Sequence, residues 1–181
     1  MPRDSRSDEA LIEAADRGEV AAFETLYRRH RDWVVRLAFR FTRDHDDALD
    51  VMQETFSYLL GKFPGFRLTA KLTTFLYPVV KNLSITVLCR RGRDVNDDDL
   101  LKDVPAPSAD EANSMRAELA SALVNLAGPQ REVLLMRYVD DMSINEIARA
   151  LEIPPGTVKS RLHNALVFLK DDERTQEYFL D

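Results

Sequence analysis

Apolar positions recur at helical spacing through most of this chain and divide it into successive predicted helices. After a polar start at residues 1–7, Asp8–Arg17 reads as a short helix closed by Gly18. Glu19 to about Thr42 reads as a long one. Phe23, Leu26, Tyr27, His30, Val34, Leu37, Ala38 and Phe41 form its stripe, and Arg28, Arg29, Arg31, Arg36 and Arg40 lie opposite. His30 falls on the stripe and is expected to be a packed histidine rather than a ligand. The third helix spans about Asp46–Lys62, with Ala48, Val51, Met52, Thr55, Phe56, Leu59 and Leu60 inside. Asp47, Asp50, Gln53, Glu54 and Ser57 point away. The acids of Asp44-His45-Asp46-Asp47 suit a helix start, where they complement the macrodipole.

Pro64-Gly65 makes Phe63–Lys71 a loop. Phe66 either caps the core or joins Arg67 in stacking on and clamping an unpaired base. Thr73 to about Arg91 is the fourth helix, with Phe75, Leu76, Val79, Val80, Leu83 and Val87 inward. Lys81, Arg90, Arg91 and Arg93 form a basic edge suited to phosphates. Pro78 costs little if this helix begins near Thr74 and kinks it if it lies deeper. Asp94–Ser114 is acidic, carries Pro105 and Pro107, and has no periodic stripe, so it is expected to be a flexible linker. Helices then follow at about Ala112–Leu126 and, after Gly128-Pro129, at Pro129–Val139.

Ser143–Lys170 reads as two short helices joined by a tight turn. Ser143 and Glu146 have capping-box spacing, and Ile144, Ile147, Ala148 and Leu151 share a face. Pro154-Pro155 stops that helix, and Pro155 suits the first position of the next. In the second helix Val158, Leu162, Ala165, Leu166 and Leu169 make the apolar stripe. Thr157, Ser160, His163 and Asn164, flanked by Lys159 and Arg161, occupy the first turns of the other side. A helix-turn-helix reading base edges in the major groove needs that arrangement, although a merely packed helical hairpin shares its outline.

The net charge of −6 is uneven. Residues 1–93 hold 16 Lys/Arg and 13 Asp/Glu, residues 94–114 hold 1 and 7, and residues 115–181 hold 8 and 11. A chain so weakly basic gains little from counterion release and is expected to bind free DNA poorly by itself. Cys89 is the single cysteine, which excludes an internal disulfide framework and a cysteine-based zinc site, and it is expected in or beside a core. With no apolar run of about 18 residues and no signal pattern, the protein is expected to be soluble and cytoplasmic, without membrane insertion.

Five phrases in order, AFETLYRRH, DALDVMQETF, the VVKN helix, PQREVLLMRY and EIARAL…GTVKSRL, resemble the extracytoplasmic-function (ECF) group of bacterial sigma factors over about residues 8–170. The resemblance implies an all-α protein of two small helical domains on a tether. Residues 1–93 would be a four-helix region-2-like domain and 94–113 an acidic linker. Residues 114–170 would be a four-helix domain containing the helix-turn-helix, and 171–181 a short acidic tail without readable function. By position, Asp50, Gln53 and Glu54 would face the clamp helices of RNA polymerase. Phe66, Arg67, Lys81, Asn82, Arg90 and Arg91 would meet −10 DNA. Thr157, Lys159, Ser160, Arg161, His163 and Asn164 would meet the −35 duplex. RNA polymerase core, promoter DNA and an anti-sigma factor are the implied partners, with no cofactor, metal or catalytic activity.

The chain departs from the group's pattern at four places. Phe75 stands where Trp is usual, Thr86 where Asp is frequent, and Asn164 where Arg is usual, while Pro78 sits near the fourth helix's start. Asn pairs well with adenine whereas Arg prefers guanine, so a shifted −35 preference is expected. A stand-alone helix-turn-helix regulator is the alternative reading. It would have to dimerise for affinity, and the polymerase-like DALDVMQETF phrase counts against it. No phosphate-cradling glycine loop, HExxH or nucleophile–base pair supports an enzyme.

Overall fold

The computed structural model describes residues 4–92, 122–172 and 175. The described residues are helical with no strand, and they fall into two compact units, one ending at Arg93 and the other beginning at Asp94.

In the first unit α1 spans Asp8–Asp16, and its N-cap Ser7 accepts a hydrogen bond from the Ala10 N–H at 3.3 Å. Gly18, at φ +90°, turns the chain into α2, Val20–Thr42. This helix is the unit's spine and packs on all three others. It buries Leu26, His30, Val34, Leu37, Ala38 and Phe41. His30 is the packed histidine expected, with Nε2 2.7 Å from Asp8 Oδ2. Arg29 also bonds Asp8, so α1 is pinned to α2 by charge as well as by Leu11 and Ile12.

Helix α3 spans His45–Leu60, and Asp44 caps it by accepting from the Asp47 N–H at 3.0 Å. Ala48, Val51, Met52, Thr55, Phe56 and Leu59 are buried as expected. Two positions differ. Leu60 is 55% exposed, because the stripe has rotated past it by the last turn. Asp47, expected to point outward, is buried because Arg91 folds over it, Nη2 to Oδ1 at 2.6 Å.

Helix α4 spans Leu72–Arg90 and corrects the expectation in four ways. It starts before Thr74, so Pro78 lies in its second turn and removes a backbone donor from the helix interior. Such a proline costs about 3 kcal/mol. Burial of Leu72, Leu76, Tyr77 and Val80, at about 1.5–3 kcal/mol for each large side chain, offsets it. The buried stripe runs Leu72, Leu76, Val80, Ser84, Leu88, whereas Phe75, Val79, Leu83 and Val87 are only half-buried. Cys89 is exposed rather than beside the core. By length and composition alone Leu72–Arg90 would suffice to cross a membrane, with a mean hydropathy of 1.4, contrary to the expectation of no such run. Its stripe instead packs on α2 and α3.

In the second unit residues 122–124 are helical, α5 spans Gly128–Tyr138, α6 Ile144–Ala150 and α7 Pro155–Asp171. The expected linker, residues 112–121 of the expected next helix and most of the tail lie outside the described residues. Arg131 is wholly buried. Its guanidinium donates to the carbonyls of Leu123 (2.6 Å), Val124 (2.8 Å) and Leu126, at the end of the helical residues 122–124. Thr175, also buried, bonds the Leu169 carbonyl near the end of α7. The tail, which carried no readable signal, thus has a capping residue.

Candidate nucleic-acid interface

The turn between α6 and α7 sets the presentation of the candidate DNA-reading helix. The capping box at the start of α6 is complete: the Ser143 N–H donates to Glu146 Oε2 at 2.7 Å and the Glu146 N–H to Ser143 Oγ at 3.3 Å. At the other end the Ile153 N–H reaches the Ala148 carbonyl at 3.0 Å and the Glu152 N–H the Arg149 carbonyl at 3.4 Å. Those two bonds make a Schellman motif, with Glu152 at φ 54° in the left-handed position that glycine usually fills. Pro155 then opens α7, as its fixed φ favours.

Val158, Leu162, Ala165 and Leu169 of α7 are buried against α5 and α6, and Leu166 is half-buried. Lys159, Ser160, His163 and Asn164 are exposed together on the opposite side, and Thr157 and Arg161 are half-buried at its margins. Four of the six candidate −35 residues therefore sit on the outward side of one helix, with the other two at its margins. The Ser160 hydroxyl donates to the Thr157 carbonyl at 3.0 Å, which leaves its oxygen lone pairs facing outward.

The candidate −10 residues are less uniformly presented. Phe66 is half-buried between Phe63 and Phe75, with ring centroids 5.7 and 4.8 Å away. It therefore packs with other rings, while Arg67 beside it is exposed. The Gly65 N–H donates to Asp16, which ties this segment to α1. On α4, Asn82 and Arg90 are exposed and Lys81 is half-buried. Arg91 is already engaged with Asp47 and, at 3.6 Å, with Asp44. The Asp47 N–H, and then the Arg91 guanidinium, hold the Asp44 carboxyl below the usual carboxylate range.

The candidate polymerase residues Asp50, Gln53 and Glu54 are all exposed along one side of α3. Leu49, Tyr58 and Leu60 are exposed on the same helix. Sequence reasoning overlooked Tyr58, which stacks near-parallel to Phe75 and carries the Lys62 ammonium 4.3 Å above its ring. It also overlooked Arg131, whose signal was a cation two residues after the Gly128-Pro129 pair.

Two family models match this chain: "Sigma-70 region 2" over residues 26–94 and "Sigma-70, region 4" over residues 116–169. Relatives match over most of their length. The RNA polymerase sigma-E factor of Streptomyces coelicolor is 32% identical over 86% of this chain and 88% of its own. The ECF RNA polymerase sigma factor SigM of Mycobacterium tuberculosis is 33% identical over 90% of this chain and 83% of its own. CnrH, solved in complex with the cytosolic domain of CnrY, shares the fold with a TM-score of 0.66 and 24% identity, covering 90% of this chain and 94% of that one. The chain belongs to the extracytoplasmic-function group of the sigma-70 family of RNA polymerase sigma factors. Its activity is accordingly non-catalytic: it binds RNA polymerase core and directs it to promoters.

Proposed function

We propose that this sigma factor divides its work between two surfaces on two domains. Residues 1–93 form the polymerase-docking and −10-reading domain, 94–113 the acidic linker, 114–170 the −35-reading domain, and 171–181 the tail. Asp50, Gln53 and Glu54 meet the polymerase. Phe66, Arg67, Lys81, Asn82, Arg90 and Arg91 line the −10 strand, with Arg91 trading its Asp47 contact for a phosphate. Lys159, Ser160, His163 and Asn164 approach base edges of the −35 duplex, with Thr157 and Arg161 on its backbone.

One observation carries the −35 assignment: the exposed polar side chains of α7 share one side of a helix whose other side is buried. The −6 charge of the chain supports a further point, that promoter affinity comes through polymerase rather than from the free protein. The protein acts in the cytoplasm, with the polymerase. We also infer an anti-sigma factor as partner. The Bartonella quintana sigma factor RpoE, solved with the anti-sigma factor NepR, shares this fold with a TM-score of 0.59 over 82% of this chain and 94% of its own.

Gel filtration with bacterial core polymerase, followed by in vitro transcription on a genomic library, tests the reading. Co-elution and start sites sharing a −35 and a −10 motif are expected. Absence of co-elution, or nanomolar sequence-specific binding of promoter duplex by the free protein at physiological salt, would contradict it.

A further inference from the structure

Five aromatic rings run in a row across the first unit. Phe23 meets Phe63 edge-on with centroids 6.2 Å apart, Phe63 meets Phe66, Phe66 meets Phe75, and Phe75 lies at 22° and 6.3 Å from Tyr58. The four phenylalanines are half-buried, and Tyr58 is the exposed end at 44%. The rings come from α2, the segment joining α3 to α4, α4 and α3, so the row is not the lining of one helix pair. Cations edge it. Lys62 Nζ sits over the Tyr58 ring, and Arg67 is exposed next to Phe66.

Partly exposed rings edged by cations suit single-stranded nucleic acid. Unstacked bases regain on aromatic faces the contacts they lost in the duplex, while cations follow the phosphates. The Lys62 ammonium 4.3 Å over Tyr58 shows that this face of the ring is not covered by the core and suits a cation. A base settling there would displace the flexible Lys62 side chain, whose charge then lies beside the backbone of the same nucleotide.

We propose that Tyr58 and Lys62 form a second stacking position for an unpaired base of the melted −10 strand, adjoining the one at Phe66 and Arg67. This rests on the reading that the first domain holds −10 DNA. Tyr58 and Lys62 lie one and two turns beyond Glu54, so α3 would dock polymerase along its middle turns and meet the open strand at and just past its C-terminal end.

The test is binding of the holoenzyme, sigma factor plus core, to fork-junction promoter DNA with a single-stranded non-template −10 segment. Core binding is measured in parallel. Tyr58→Ala is expected to weaken fork binding about tenfold, Tyr58→Phe to retain it, and both to leave core binding unchanged. Lys62→Ala is expected to lower the salt dependence of fork binding by about 0.7 in log–log slope, one single-strand phosphate contact. Unchanged fork binding by Tyr58→Ala while Phe66→Ala weakens it would overturn the second position and leave the −10 reading standing. Weaker core binding by Tyr58→Ala, to the extent seen with Gln53→Ala, would also overturn it. If neither Tyr58→Ala nor Phe66→Ala affects fork binding, the −10 reading itself falls.

Discussion

Helices α4 and α7 are both assigned to DNA, and their outward faces differ in kind. The outward face of α7 is polar and open: Lys159, Ser160, His163 and Asn164 project from a helix whose inner stripe is closed by Val158, Leu162, Ala165 and Leu169. On α4 the half-covered stripe Phe75, Val79, Leu83 and Val87 is apolar, exposed Asn82, Thr86 and Arg90 lie outside it, and the guanidinium following the last turn is held by Asp47. A duplex offers hydrogen-bonding edges to its reader, which a polar helix face matches. A melted strand offers unstacked bases, which aromatic and aliphatic surface matches. On the proposed reading, the contrast in composition follows the contrast between duplex and open DNA.

The largest effect that sharpens this contrast concerns which α4 stripe is core. Leu76→Ala is expected to destabilise the first unit by about 3 kcal/mol, and Leu83→Ala by about 1 kcal/mol, since Leu83 is only half-buried. Urea unfolding followed by circular dichroism separates the two. Equal losses would mean that the half-covered stripe of α4 is core after all. In the second unit, Arg131→Met is expected to cost about 2 kcal/mol, because it strips partners from buried carbonyls at a helix end. The same unfolding measurement would show that loss.

These positions also mark how far the sequence could be read. The α7 stripe was legible because polar and apolar residues separate cleanly around that helix, Ser143/Glu146 mark the start of α6, and Pro155 marks the start of α7. The α4 stripe was not, because apolar residues surround the helix and spacing alone cannot rank two adjacent stripes. Nothing in the local pattern sets small Ser84 above Leu83 as the core residue. Asp47 and Arg131 were misread or overlooked for a related reason. A charged residue enters a core only when a distant group meets it, here Arg91 and the 123–126 carbonyls. The candidate −35 residues lie on one face as expected, while the −10 set divides into exposed, half-buried and engaged members.

Smaller effects probe the faces themselves. Lys159→Ala is expected to reduce promoter-directed transcription by the holoenzyme about tenfold, and Asn164→Arg to move the −35 preference from adenine toward guanine. Start-site mapping on a randomised −35 library would reveal both. Glu152→Gly is expected to raise the stability of the second unit by about 1 kcal/mol, since glycine carries no penalty at φ 54°. A Tm shift upward with unchanged promoter preference would separate scaffold from reader.

The smallest effect is at α1. Burial pushes the Asp8 carboxyl up, but hydrogen bonding and charge from His30 and Arg29 outweigh it and hold the group below its ordinary value. Its stabilising share is therefore present above about pH 3.9, the ordinary aspartate value, and is lost as pH falls through the depressed one. The stability gap between wild type and Asp8→Asn should narrow as pH falls below about 4, as read by denaturant titrations across that range.

The central claim is the division of labour between the outward sides of α3 and α7. It is tested most directly by measuring core-polymerase affinity for the Gln53→Ala and Lys159→Ala proteins side by side. The account predicts weaker core binding for Gln53→Ala and wild-type core binding for Lys159→Ala, whose defect appears only at the promoter. Equal loss of core binding in both proteins would contradict it.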